Sequence, residues 1–256
     1  MKIVKEDHLT RPESDAEADI WKQLAVDVTQ TLENVGNRCL GLPAGTSIWS
    51  ARGVAARITL RSNELLGATI NLINLGSLAA SRTLTRSLFE CAFASAALTT
   101  RPDELVAMLK DDSEGSRRNQ GRFILDRHLG SDDSQREALQ QTIEAMDKRL
   151  RTVSPKKVAE LGPIVNLYLQ YQRLSDDSAH LTARSLEHYV VRGSDGWALV
   201  PSEANVAGTS ATLRLALQSS LLAGLAVCEV LDFSTEHQEI GTLLQRLETM
   251  PPTDYI

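Results

Sequence analysis

Apolar residues recur every three to four positions along most of the chain, the spacing that keeps them on one side of an α-helix. Ile20, Leu24, Val28, Leu32 and Val35 make the first such stripe, and Asn34-Val35-Gly36-Asn37 reads as the fraying end of its helix. Leu42-Pro43-Ala44-Gly45 follows as a loop. A second helix starts near Ser47 or Ser50 and carries Val54, Ile58, Leu65, Ile70 and Ile73 towards Gly76. The third spans about Ser77 to Thr100, and its Ala- and Ser-rich side lets neighbouring helices approach closely.

Proline and capping residues divide the middle of the chain. Pro102 disfavours helical backbone at Arg101 and suits the first turn of a fourth helix, with Asp103 and Glu104 at its positive end. That helix reaches towards Leu129, with Gly115 and Gly121 as weak points. Ser131-Asp132-Asp133-Ser134 starts a charged helix to about Arg151, whose thin stripe (Leu139, Ile143, Met146, Leu150) places it on the surface. Pro155 and Gly162-Pro163 then punctuate the chain. Ile164 to Leu174 reads as a short helix, and Ser175-Asp176-Asp177-Ser178 as the cap of another running to Val191. Tyr189-Val190-Val191 and Trp197 to Val200, about the turn Gly193-Ser194-Asp195-Gly196, read as a small two-stranded hairpin near 189–200. A long apolar helix from Glu203 to Phe233 and an amphipathic one from Thr235 to Thr249 complete the pattern, and Pro251-Pro252 ends it.

The expected fold is therefore all-α. It is a single helical bundle over residues 16–250, with a surface helical excursion at 130–160, a flexible arm at 1–15 and a tail at 251–256.

Composition narrows the classes without choosing one. The 256 residues carry 27 Lys+Arg against 33 Asp+Glu, a formal charge of −6, so no global attraction draws the chain to nucleic acid or anionic membrane. Cys39, Cys91 and Cys228 are far apart, odd in number and set among small or apolar residues, which argues against a disulfide framework and for a reducing, cytoplasmic setting. The opening MKIVKEDHLTRPESDAEADIW holds no apolar core of signal-peptide length. The most hydrophobic window, Leu213 to Leu231, contains Arg214, Gln218, Ser219, Ser220 and Glu229, so it reads as a buried helix and not a membrane span.

Nucleotide-loop, dinucleotide and zinc-protease signatures are lacking, and no cofactor is called for. Metal binding needs several ligands, and Asp177-Ser178-Ala179-His180 is a lone tetrad, so no metal site is assigned. Two polar tracts remain. Arg82, Arg86 and Glu90 occupy successive turns of one face in an otherwise apolar helix, so Arg86 and Glu90 can pair. They form either a buried structural salt bridge or a polar pocket in which Arg86 offers its planar fork to an anion. The second tract is Tyr171 to His180. Arg173 and His180 stand seven residues apart, about 10 Å along a continuous helix. A histidine that moves a proton near neutral pH beside an arginine suits phosphodiester chemistry. The competing reading makes His180 a core imidazole or a partner of Asp177, with Asp176 and Asp177 as helix caps. Tyr171, Arg86, Glu90 and Asp177 are the binding candidates, and Arg173 and His180 the catalytic ones.

Lesser features are read as structural. His188, after Glu187 beside the hairpin, packs there, and His8, His128 and His237 lie in polar surroundings and are exposed. The basic run Lys148, Arg149, Arg151, Lys156 and Lys157 offers phosphate contacts, but Glu144, Asp147 and Glu160 beside it and the scarcity of aromatics favour a solvated face.

RSLFE (Arg86 to Glu90), the following PDEL with its polar helix, YQRLSDDSAH (Tyr171 to His180) and a turn before a long apolar helix together resemble a bacterial all-helical family. It is catalogued as domain of unknown function five-six-seven-seven. The likeness runs from about residue 50 to 235 and implies a cytoplasmic helical bundle with no assigned activity; a binding or interaction module built on the polar cluster is the function expected first. A more distant likeness is to the HEPN superfamily, helical proteins that include metal-independent endoribonucleases of toxin and defence systems. Arg173 and His180 have the arginine–histidine gap of that signature, although Leu174 stands where a polar residue is usual. That likeness implies RNA as substrate and a homodimer that brings two such segments together.

Overall fold

A computed structural model describes residues 15–129, 132–146, 152–179, 181–193, 196–199 and 206–251. The expected arm at 1–15 and tail at 251–256 lie almost wholly outside these residues. Ten α-helices and one antiparallel hairpin are present among them. The helices are α1 (Asp15–Leu40), α2 (Ala51–Asn74), α3 (Leu78–Thr100), α4 (Pro102–Asp126), α5 (Asp133–Ala145), α6 (Pro155–Leu161), α7 (Tyr168–Leu174), α8 (Ala183–Glu187), α9 (Val206–Leu231) and α10 (Ser234–Thr249). The strands are β1 (Val190–Gly193) and β2 (Gly196–Leu199). The all-helical class read from periodicity is the class observed.

The helix boundaries follow local chemistry. Ser50 caps α2 by accepting from the Gly53 amide at 3.1 Å, and Pro102 opens α4. At the end of α2, Gly76 takes a φ of 69°, and the Ser77 and Gly76 amides donate to the Leu72 and Ile73 carbonyls at 2.9 Å. That left-handed close folds α3 back against α2. α9 ends in the same way with Asp232 in the left-handed position, where Arg52 reaches its carboxylate at 3.0 Å.

α3 is the central helix, packed against α2, α9, α6 and α4. α1 and α10 close the opposite side of α2 and α9. Phe89, Phe93, Leu24, Leu66, Leu217 and Leu221 fill the interior. Small residues permit the close approaches: a Cβ at Gly162 would lie 3.0 Å from the Ala96 backbone, and one at Gly224 would strike Leu32. Buried hydroxyls bond their own helix, as Thr85 does to the Ser81 carbonyl at 2.8 Å and Ser219 to that of Leu215 at 2.8 Å. α9 is long and apolar enough to span a bilayer, yet 72% of that stretch is buried inside the bundle.

Five local expectations change. Ile20 is exposed, and Trp21 takes its place in the α1 stripe. α1 does not fray at Gly36 but runs on to Leu40. Gly36 is a contact point, because Asn63 of α2 donates to the Leu32 carbonyl there at 2.7 Å and a Cβ would collide with it. α4 stays helical through Gly121, whose bare face receives Ile143 of α5. α5 stops at Ala145, short of Arg151. Finally, Ser175–Asp176–Asp177–Ser178 caps nothing. α7 continues into a π-helical turn, Ser175–Ala179, and Thr182 starts the separate α8 with a capping box to Ser185.

Candidate functional site

One face of α3 is polar, and the chain from Tyr168 to His188 folds over it. α7 lays Tyr168 and Tyr171 against Phe93, and the two tyrosine rings stack at 5.4 Å. With Phe89 at 6.1 Å from Phe93, four aromatic rings gather behind this face. Concentrated aromatic surface here fixes α7 rigidly, and thereby fixes what Tyr171 touches.

Arg86 and Glu90 meet Tyr171 at the outer tier. The Tyr171 hydroxyl accepts from Arg86 Nη2 at 2.5 Å and donates to Glu90 Oε1 at 3.0 Å. Arg86 and Glu90 also pair directly at 3.1 Å, and the guanidinium carbon lies 4.8 Å from the centre of the tyrosine ring. The Arg86 side chain is 23% exposed and that of Glu90 36%, so the tier is open at its edge. Burial first, and then the Glu90 charge, push the Tyr171 hydroxyl up to about 12. It therefore stays protonated and donates. The Nε of Arg86 is buried and has no hydrogen-bond partner among the described residues.

One turn earlier on α3, Arg82 forms the inner tier. It and Asp177 are both buried and pair at 3.4 Å. Arg184 of α8 reaches the other oxygen of Asp177 at 2.5 Å, and Arg82 Nε donates to Thr212 of α9 at 3.3 Å. Arg82 Nη1 lies 2.7 Å from His188 Nε2. The same guanidinium nitrogen lies 3.4 Å from His188 Nδ1, so it sits against the ring beside both nitrogens. Burial, and then the Arg82 charge, hold the His188 ring below its ordinary value, which favours the neutral imidazole.

The two polar tracts thus meet in space. Arg86, Glu90 and Tyr171 touch, and Asp177 joins them through Arg82 on the next turn. Arg173 does not join. It is half-buried, and no hydrogen bond or ion pair ties it to the cluster among the described residues. His180 lies outside the described residues. Asp177 is not a helix cap, because both its oxygens are taken by arginines from α3 and α8. His188, Arg184 and Thr212 belong to the cluster although the sequence alone does not single them out as site residues. The signal in the chain is the four-residue spacing of Arg184 and His188, which puts both on one face of a helix.

Other candidates stay apart. Lys148, Arg149 and Arg151 lie outside the described residues, while Lys156 is exposed and faces Glu160 at 3.9 Å. His128 and His237 are exposed. The three cysteines are buried free thiols, and burial pushes those of Cys91 and Cys228 up to about 11 and about 12. Among the described residues no three His, Cys, Asp or Glu side chains gather as metal ligands. A shallow depression on the hairpin, lined by Val190, Arg192, Gly193, Gly196 and Trp197, shares no residue with the cluster.

This polar face lies within a recognised sequence family. The model of Family of unknown function (DUF5677) matches residues 52–196, more than half of the chain. The chain belongs to that family. The match runs from α2 through β1 to the first residue of β2, stopping short of the expected limit near residue 235, and contains every cluster residue except Thr212. DUF5677 membership thus spans both tiers of the polar face while leaving α1, α9 and α10 outside. No curated protein and no solved structure matches the chain significantly.

Proposed function

We propose that this DUF5677 protein is a binding module that holds a small anion at the outer tier of the α3 face, with Arg86 as the recognising group. One observation carries the reading: Arg86 is oriented by Tyr171, Glu90 and the tyrosine ring, and yet keeps a buried Nε–H without a partner. An oriented guanidinium edge with an unspent donor suits a carboxylate or phosphate oxygen. Glu90 sets the selectivity, since it repels an anion that does not displace it from Arg86. A cytoplasmic location belongs to the same reading.

Thermal melts in inorganic phosphate, a ribonucleoside monophosphate and a dicarboxylate test it. A bound anion at a hundred times its Kd stabilises by about 2.7 kcal/mol, a shift of several degrees in a chain of this size. The shift is expected for at least one of these anions in the natural protein and is lost in Arg86→Ala. No shift with any of the three, or equal shifts in the variant, overturns the reading.

The second reading is a HEPN-like metal-independent endoribonuclease, acting as a homodimer through Arg173 and His180. What favours it is the π-helical turn between those residues, a local distortion that recurs at functional sites. Cleavage of total RNA in the presence of chelator, abolished in both Arg173→Ala and His180→Ala, is the expected result. Intact RNA removes this reading and leaves the anion module standing.

A further inference from the structure

The segment from Leu181 to Leu199 is attached to the bundle in an unusual way. Among its described residues none is buried, and none joins the apolar core. Leu181, Leu186, Trp197 and Leu199 are more than half exposed, and β1 and β2 pair only with each other. The ties that reach inward are polar. Arg82 lies against the His188 ring at 2.7 Å, Arg184 donates to Asp177, and Thr182 donates to the Asp176 carbonyl at 2.8 Å. A five-residue helix and a two-stranded hairpin are each too small to persist alone in water, so their order depends on these ties.

We infer that α8 and the hairpin form a flap over the α3 face, latched by the Arg82–His188 contact and released when His188 is protonated. Protonation sets a second positive charge against a buried guanidinium that lies 2.7 Å from the ring. Among the described residues the charged groups facing the ring are Arg82 from α3, Asp177 from the π-helical turn, and Arg184 and Glu187 from α8 itself. Asp177 favours the charged ring, but its two oxygens already hold Arg82 and Arg184. Burial and the two arginines oppose it, so the native latch prefers the neutral imidazole. The sign follows: the latch is complete above the ordinary imidazole value of about 6.5 and weakens as pH falls below it. Release uncovers Arg82 and Asp177, converting a sealed inner tier into an accessible one. This inference stands independently of anion binding at Arg86.

Hydrogen exchange of the whole chain, corrected for the intrinsic effect of pH, tests it. Amides of α8 and the hairpin are expected to exchange roughly threefold or more faster at pH 5.5 than at pH 7.5, while those of α3 and α9 keep their protection. His188→Gln retains an acceptor oxygen for Arg82 and cannot titrate, so it abolishes the step. Exchange in the flap that does not change with pH, or a step that survives in His188→Gln, overturns the latch. Should that variant not fold, the ring resonance of His188 in the natural protein replaces it. Its titration must then lie below the ordinary imidazole value, at the acid end of the exchange step, and a midpoint at or above that value overturns the inference.

Discussion

The helices α1, α2, α3, α9 and α10 and the segment from Leu181 to Leu199 hold to one molecule by opposite means. The helices meet through buried leucines, phenylalanines and alanines, with hydroxyls folded back onto their own carbonyls. Apolar contact of that kind is non-directional and survives small displacements. The flap meets the bundle through charged hydrogen bonds to Arg82 and Asp177, which are strong only at the right distance and in the right protonation state. A single molecule thus combines a body built mainly on apolar contact with an attachment built on polar ones.

Phe93→Ala strikes the contrast hardest. It removes a fully buried ring against which Phe89, Tyr168 and Tyr171 all pack, and a loss of about 3–5 kcal/mol in chemical denaturation is expected. Asp177→Ala comes next, at about 3 kcal/mol, because Arg82 stays buried with a partner removed. The same variant exposes the flap to proteolysis, and a flap as resistant as in the natural protein breaks the comparison.

Tyr171→Phe keeps the ring stack and loses both hydroxyl bonds at the half-open tier, for about 1 kcal/mol. It also has an alkaline signature. The Tyr171 hydroxyl, raised to about 12 by burial and then by Glu90, remains protonated in the fold when the unfolded chain has ionised at about 10. That contribution is present below pH 10 and is lost as pH rises from there through 12. Stability curves of natural protein and Tyr171→Phe should converge over that window, and parallel curves would contradict the assigned environment.

The smallest effect belongs to Trp197→Ser. Trp197 is 70% exposed on the hairpin, so a change within about 0.5 kcal/mol is expected despite the loss of a large aromatic ring. A larger loss in calorimetry would show that the hairpin contributes apolar packing after all.

Arg86, Glu90 and Tyr171 were legible because helical spacing places Arg86 and Glu90 on one turn of α3, and an isolated charged pair in an apolar helix demands a partner. Asp177 was legible both as a binding candidate and as a helix cap, since a capping side chain and a buried counter-ion have the same local sequence. Nothing nearby announced that Arg82 and Arg184, distant in the chain, would claim its two oxygens. His188 was passed over for the same reason. Its role depends on α8 being a separate helix begun at Thr182, and the capping box that starts it lies within a stretch that reads equally well as one continuous helix.

Periodicity, Pro102, Ser50 and Gly76 by themselves determined the helical class and most boundaries of this DUF5677 protein. Those signals act between residues a few positions apart, where backbone geometry alone decides the outcome. Tertiary structure decided which buried charges meet, why Gly36 and Gly121 do not interrupt their helices, and how the hairpin is tethered. Each of those depends on distances between segments far apart in the chain, which packing of the whole core sets.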